Sequence, residues 1–272
     1  LNDWVLEDSL PAPPPRRHND EALLLRVNLP GVPHLQGKDR VALARRAIEQ
    51  FHPDVLVLDD GFQHRRLARE LDIVLVDCTE PFGLDRIFPR GLLREPITSL
   101  RRAGLIVLSR ANQVAAAERE QIRERIAAAA GEKPVVLADH RPLALRTGDG
   151  ATVSLSEFAG RSVAAFCGIG NPHAFWQTLV SLECRLIETR AFRDHHIYSA
   201  ADLAELAAWA TQHRPEFVVT TQKDMVKIPA AAWSGPPLVA LQIEAAVTDP
   251  DGHLDRALAA VLGDRPPIIQ AA

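Results

Sequence analysis

Apolar residues in this chain alternate between two spacings, short unbroken runs and longer stretches with helical periodicity. Over 39–51, Val41, Ala44, Ile48 and Phe51 recur in steps of three and four, which marks one face of a helix. Directly after it, Val55-Leu56-Val57-Leu58 is an uninterrupted apolar run that predicts a strand buried on both faces. Runs at 73–76, 105–108 and 135–137 predict further strands, and the Ala-rich, charge-laced stretch 114–130 predicts a helix between the last two. The segment 140–153 is polar and contains Gly148 and Gly150, as an interdomain connection or a hairpin would. The alternation then resumes, with strands expected at 163–167, 186–189, 217–220 and 238–243 and helices at 173–183, 200–213 and 254–262. Such alternation predicts an α/β fold with a mostly parallel sheet. With the boundary placed in the polar segment, two domains are expected, 1–141 and 142–272.

Composition narrows the class. The 272 residues, 47% hydrophobic and 24% charged, suffice to bury a substantial core in two domains. A net charge of −4 gives no electrostatic case for a nucleic-acid partner. No secretory signal, lipidation motif or long apolar run occurs in the sequence, so contact with a membrane is expected to be peripheral. Cys78, Cys167 and Cys184 are scattered within apolar segments, without paired metal-ligand spacing, and read as reduced core thiols of a cytosolic protein. The chain opens on Leu1, and its first stretch, with Pro11, Pro13, Pro14 and Pro15, has no periodic apolar pattern.

The candidate chemistry begins where the run 55–58 ends in Asp59-Asp60-Gly61. Open α/β sheets place ligands at the carboxyl ends of strands, and hard cations such as Mg²⁺ take carboxylate oxygens, so this acidic pair suits phosphoryl transfer. Read alone, it is equally a solvated turn, because Asp and Gly are ordinary turn formers.

Seven blocks follow one another in the chain. The first four are Asn19-Asp20-Glu21, Gly37-Lys38-Asp39-Arg40, Asp59-Asp60-Gly61-Phe62-Gln63-His64-Arg65-Arg66-Leu67 and Pro89-Arg90-Gly91-Leu92-Leu93-Arg94-Glu95-Pro96. Phe166-Cys167-Gly168-Ile169-Gly170-Asn171-Pro172, Phe192-Arg193-Asp194-His195-His196 and Thr220-Thr221-Gln222-Lys223-Asp224-Met225-Val226-Lys227 continue the series. In this order the blocks resemble the tetraacyldisaccharide 4'-kinase family of lipid A biosynthesis. The resemblance implies a P-loop NTPase-like nucleotide-binding domain followed by a smaller α/β domain that carries the His-His motif. It also implies an ATP-dependent kinase that phosphorylates the 4'-hydroxyl of a tetraacyl glucosamine disaccharide 1-phosphate. ATP would be the co-substrate and Mg²⁺ the cofactor, and the protein would act at the cytoplasmic face of the inner membrane with no protein partner.

The resemblance also implies roles for individual residues. Asp59, Asp60 and Glu95 would hold Mg²⁺, with Asp60 also catalytic, while Arg94 and Gln63 would contact the nucleotide. A guanidinium matches phosphate oxygens well, although an Arg-Glu dipeptide by itself is more commonly a solvated pair. Asp20 would pair with a histidine of the second domain to take the proton of the sugar hydroxyl, although Asn19 and Ala22 depart from the family's block. His195 and His196 both qualify, since imidazole titrates near neutrality and a carboxylate can orient it; His195 is the choice made here. Arg65, Arg66, Arg69, Arg86 and Arg90 form the most basic stretch, either a solvated helix face or a contact for anionic headgroups.

The sequence also departs from the family. No G-x-x-x-x-G-K-[ST] loop is present; the nearest approach, from Gly31 to Gly37-Lys38, has one residue too many and ends in Asp39, and reads as a loop and helix start. The chain is therefore expected to be N-terminally truncated and inactive by itself. Two other functions use the same residues, a metal-dependent hydrolase and a catalytically dead binding module.

Overall fold

The computed structural model describes residues 20–263 and the backbone of Trp4–Val5; the prolines of the first stretch and Asn19 lie outside them. In chain order the first elements are β1 (Trp4–Val5), α1 (Asp20–Asn28), β2 (Leu35–Gln36), α2 (Arg40–Phe51) and β3 (Ile73–Asp77). Next come β4 (Leu105–Ser109), α3 (Ala116–Ala130), β5 (Val135–Thr147), β6 (Thr152–Val153), β7 (Ser162–Cys167) and α4 (Pro172–Ser181). The order closes with β8 (Arg185–Ala191), α5 (Ala200–His213), β9 (Phe217–Thr221), α6 (Gln222–Met225), β10 (Leu238–Thr248) and α7 (His253–Leu262).

Local chemistry sets the helix ends. The Asp39 carboxylate accepts from the amides of Val41 and Ala42 at 3.1 Å, capping α2, so the Gly37-Lys38-Asp39 block leads into the start of a helix. Asn171 caps α4 ahead of Pro172, and Ser199 and Asp202 form a reciprocal capping box at α5.

The described chain divides into two compact units, neither of them contiguous. Residues 36–141 and 245–263 form the first, and residues 20–35 and 142–244 the second. The chain passes between units at 35/36, within β5 at 141/142 and within β10 at 244/245. Asp20 therefore belongs to the same unit as the His-His block.

In the first unit, β3, β4 and β5 pair in parallel. The fully buried run of β4 alternates between its two faces: Ile106 and Leu108 pack with Ile122 and Ile126 of α3, and Leu105 and Val107 with Val136, Ala138 and Leu254 of α7. In the second unit the order is β10-β9-β7-β8, all parallel, with the far half of β5 beside β10 and β6 antiparallel to β5. Val163, Ala165 and Cys167 of β7 face Phe175 and Leu179 of α4, while Ala164 and Phe166 face Leu203, Leu206 and Trp209 of α5. A strand covered by helices on both sides reads as an unbroken apolar run, and β7 is one.

Several expectations are corrected. Residues 55–58 form no strand: among the described residues no neighbour pairs with them, and Val57 is 90% exposed where burial on both faces was expected. An extended segment without an edge partner leaves its amides and carbonyls to water, and the apolar run does not change that. Of the two readings of 140–153, the hairpin is present: β5 runs to Thr147 and returns through a tight turn into β6. The Arg65–Arg69 region is a series of turns with no helix in it, and Arg69 bonds to Asp72 and to the carbonyls of His64 and Leu67. Cys78 and Cys167 are buried and Cys184 is half-buried; all three are free thiols, and burial pushes Cys167 up to about 12.

Candidate active site

In the second unit the carboxyl ends of β7 and β9 meet α1 and the 193–196 turn. Gly168, just past β7, donates its amide to Asp224 at 2.9 Å and accepts at its carbonyl from the His195 amide at 3.2 Å. A Cβ there would lie 3.2 Å from the Arg193 carbonyl, from Asp224 and from His196, so the glycine permits a close approach of three segments. His195 has φ of 59°, in the left-handed region that a non-glycine residue seldom adopts, and the Asp194 carboxylate braces its amide at 2.9 Å. That backbone aims the ring at Asp20, at the start of α1, with Nδ1 at 2.9 Å from one carboxylate oxygen and 3.1 Å from the other.

Asp20 is 4% exposed. Its Oδ2 lies 3.5 Å from Lys227 Nζ and 3.8 Å from Lys223 Nζ. Burial by itself raises the Asp20 carboxyl, but the hydrogen bond with His195 and the charges of Lys223, His195 and Lys227 outweigh it and hold the group below 3.8. A carboxyl lowered by folding adds stability that is complete above its unfolded value and is lost as pH falls through the lowered folded one. Asp20→Asn should therefore cost stability at neutral pH, and its unfolding midpoint should approach that of the parent protein as the buffer is taken below 3.8, measured by urea unfolding at a series of pH values.

His196 is turned elsewhere. Its ring stacks on Phe192 at 4.6 Å, meets Tyr198 edge-on at 5.0 Å and points Nε2 to Asp202 at 3.3 Å. The two adjacent histidines thus divide, one on a buried carboxylate and one in an aromatic cluster.

The first unit gathers the other named residues around the 59–63 turn. Asp60, with φ of 50°, forms an exposed ion pair with Arg94 at 2.6 Å. Glu95 pairs with Arg102 at 2.9 Å, and burial, which raises its carboxyl, is outweighed by hydrogen bonds from Ser99, Arg102 and Gln63 that lower it. Arg102 also lies 4.2 Å over the Phe62 ring and donates to the Phe62 carbonyl, fastening the turn to the 94–102 segment. Asp59 is exposed on the same turn. Among the described residues no group of three or more His, Cys, Asp or Glu side chains is arranged to hold a metal ion. Magnesium commonly takes one or two carboxylates and completes its shell with phosphate and water, and the all-oxygen donors Asp59, Asp60 and Glu95 fit that chemistry.

In the second unit, two residues beside Asp20 had no role assigned from sequence. Asp224, wholly buried, and Lys227 form an ion pair at 2.8 Å directly behind Asp20. The Lys-Asp-x-x-Lys spacing after β9 was the available signal, but in a sequence it looks the same as a solvated turn. No helix of the described residues is long and apolar enough to cross a membrane.

Comparison with known proteins gives the family. The family model of tetraacyldisaccharide-1-P 4'-kinase, LpxK, matches residues 6–263. The tetraacyldisaccharide 4'-kinase of Syntrophus aciditrophicus is 40% identical over 85% of this chain and 63% of its own length. That of Anaeromyxobacter sp. strain K is 42% identical over 93% of this chain and 68% of its own. The chain thus spans about two thirds of such relatives. A crystal structure of LpxK from Aquifex aeolicus in complex with ATP superposes with a TM-score of 0.66 at 28% identity, covering 89% of this chain and 69% of that one. The family model spans all the residues described from 20 to 263, relatives about 40% identical cover most of the chain, and the chain belongs to the tetraacyldisaccharide-1-P 4'-kinase family.

Proposed function

We propose that the protein transfers the γ-phosphoryl group of ATP to the 4'-hydroxyl of a tetraacyl glucosamine disaccharide 1-phosphate, with Asp20 and His195 activating the hydroxyl. The observation that carries this reading is the 2.9 Å contact between His195 Nδ1 and the buried Asp20 carboxylate in a chain of a kinase family. An ionised carboxylate only accepts, so Nδ1 bears the proton and Nε2 presents its lone pair. His195 Nε2 takes the proton of the 4'-hydroxyl as its oxygen bonds to Pγ; the bond from Pγ to the bridging oxygen breaks, and ADP leaves with the electron pair. Asp20 stabilises the imidazolium that results.

Arg94 is assigned to phosphate oxygens and Gln63 to the nucleotide, with Asp59, Asp60 and Glu95 as the residues that would hold Mg²⁺. When bound, the ion supplies neutralisation of the phosphate charge. The membrane assignment is peripheral contact at the cytoplasmic face of the inner membrane, where a tetraacylated substrate would reside.

The test is transfer of label from γ-labelled ATP to the disaccharide acceptor by a form extended with the family's phosphate loop. Acceptor-dependent transfer that EDTA abolishes is expected. Hydrolysis without ATP would overturn the reading in favour of a metal-dependent hydrolase, and absence of both reactions in favour of a binding module. The 272 residues by themselves contain no phosphate-cradling loop and are expected to give no transfer in the same assay.

A further inference from the structure

Behind the Asp20–His195 pair lies a second row of charges with no part in the proton transfer. Lys227 is 10% exposed at its side chain, with Nζ 2.8 Å from Asp224 Oδ1, 3.5 Å from Asp20 Oδ2 and 5.4 Å from the centre of the Tyr198 ring. Its contact with Asp224 lacks hydrogen-bond directionality, so charge and packing hold it. Asp224 is wholly buried, and its other oxygen accepts from the Gly168 amide at 2.9 Å and the Thr221 hydroxyl at 2.8 Å. The Asp224 carboxylate is thereby tied to the ends of β7 and β9, and Gly168 at the end of β7 also accepts from the His195 amide of the 193–196 turn.

Lys223, four residues earlier, is held differently. Its side chain is 20% exposed, and its ammonium lies 3.4 to 3.8 Å from three carboxylates, those of Asp194, Asp20 and Glu21. It adds charge beside Asp20 from the solvent side, and its nearest partner, Asp194, is 43% exposed. Among the described residues, Lys227 is the cation that joins Asp20 to the wholly buried Asp224.

We propose that Lys227 and Asp224 are positioning residues of the candidate dyad: Asp224 anchors Lys227, and Lys227 holds the Asp20 carboxylate where it accepts from Nδ1 of His195. A buried ion pair contributes little net stability once desolvation is counted, while removing one partner strands the other at high cost. Such a pair persists where it fixes geometry. Here it sets the hydrogen-bond direction that selects one imidazole tautomer and leaves Nε2 unprotonated. The inference rests on the proposed role of Asp20 and His195, and its test reads the ring directly, without catalysis.

The experiment is ¹⁵N NMR of imidazole-labelled protein above the pH at which the ring is protonated. The parent protein is expected to show His195 as the Nδ1–H tautomer. Lys227→Met keeps an unbranched side chain of similar length and removes the charge; it and Asp224→Asn are expected to give a mixture of tautomers with core methyl shifts unchanged. Lys223→Met is expected to retain the parental tautomer. Retention of a single Nδ1–H tautomer in Lys227→Met would overturn the proposal, as would a mixture in Lys223→Met equal to that in Lys227→Met. Where Asp224→Asn fails to fold, Lys227→Met decides. A parent protein without the Nδ1–H tautomer would instead overturn the dyad itself, so the two failures are distinct.

Discussion

His195→Ala is expected to lower kcat for phosphoryl transfer by roughly 10²–10⁴-fold, the usual contribution of a positioned general base. His196→Ala, one position along the chain, is expected to leave kcat within about threefold and to reduce stability instead, in keeping with cluster residues whose loss costs packing. The contrast follows from orientation. The His195 ring addresses Asp20 at 2.9 Å and half of its side chain is exposed, whereas the His196 ring stacks on Phe192 and points to Asp202. The assay is steady-state transfer in the loop-extended form, with KM for the acceptor followed in parallel. A His195→Ala enzyme with parental kcat would remove the imidazole from the mechanism, and an inactive but folded His196→Ala enzyme would reverse the assignment.

The largest expected effect on stability lies at Phe166, where the aromatic core of the second unit is centred. Its ring is fully buried and lies 5.6 Å from Tyr198, 6.2 Å from Trp233 and 6.5 Å from Phe192, with Leu203 and Leu206 of α5 in the same cluster. Phe166→Ala should destabilise by about 3–5 kcal/mol, the transfer free energy plus the cavity left between β7 and α5. Urea unfolding followed by tryptophan fluorescence measures it, since Trp233 stacks on the deleted ring. Phe88→Ala, at 76% exposure, serves as a comparison and should change stability by no more than about 0.5 kcal/mol. Equal midpoints for the two variants would contradict the packing described for β7.

How much of this was legible in the sequence depended on whether a residue's fate is decided locally. The helices 200–213 and 254–262 and the strands β4, β7 and β9 follow from periodicity and caps that neighbouring residues supply. The run 55–58 failed because strand formation needs a partner on an edge, which no pattern within the run encodes. Strands β5 and β10 are longer than their apolar cores suggest, since hairpin and sheet pairing carry polar positions such as Arg146 and Gln242 along with them. At the candidate site, the motif blocks pointed to Asp20 and both histidines and favoured His195 without a physical ground, because the left-handed turn at His195 is what separates the directions of the adjacent side chains. Asp224 and Lys227 were invisible as a pair with Asp20: more than 200 residues separate them in sequence, and their ionic contact exists only after α1 has docked beside α6.

The three crossings of the chain between its compact units bear on how the protein can be dissected. A gene cut at codon 141 looks like the natural place to make two fragments, yet it would part the carboxylate of Asp20 from the imidazole it orients. Neither fragment would then contain a whole unit. Any minimal version of the second unit has to be made by circular permutation or by splicing 20–35 onto 142–244, with a linker chosen to span the excised middle.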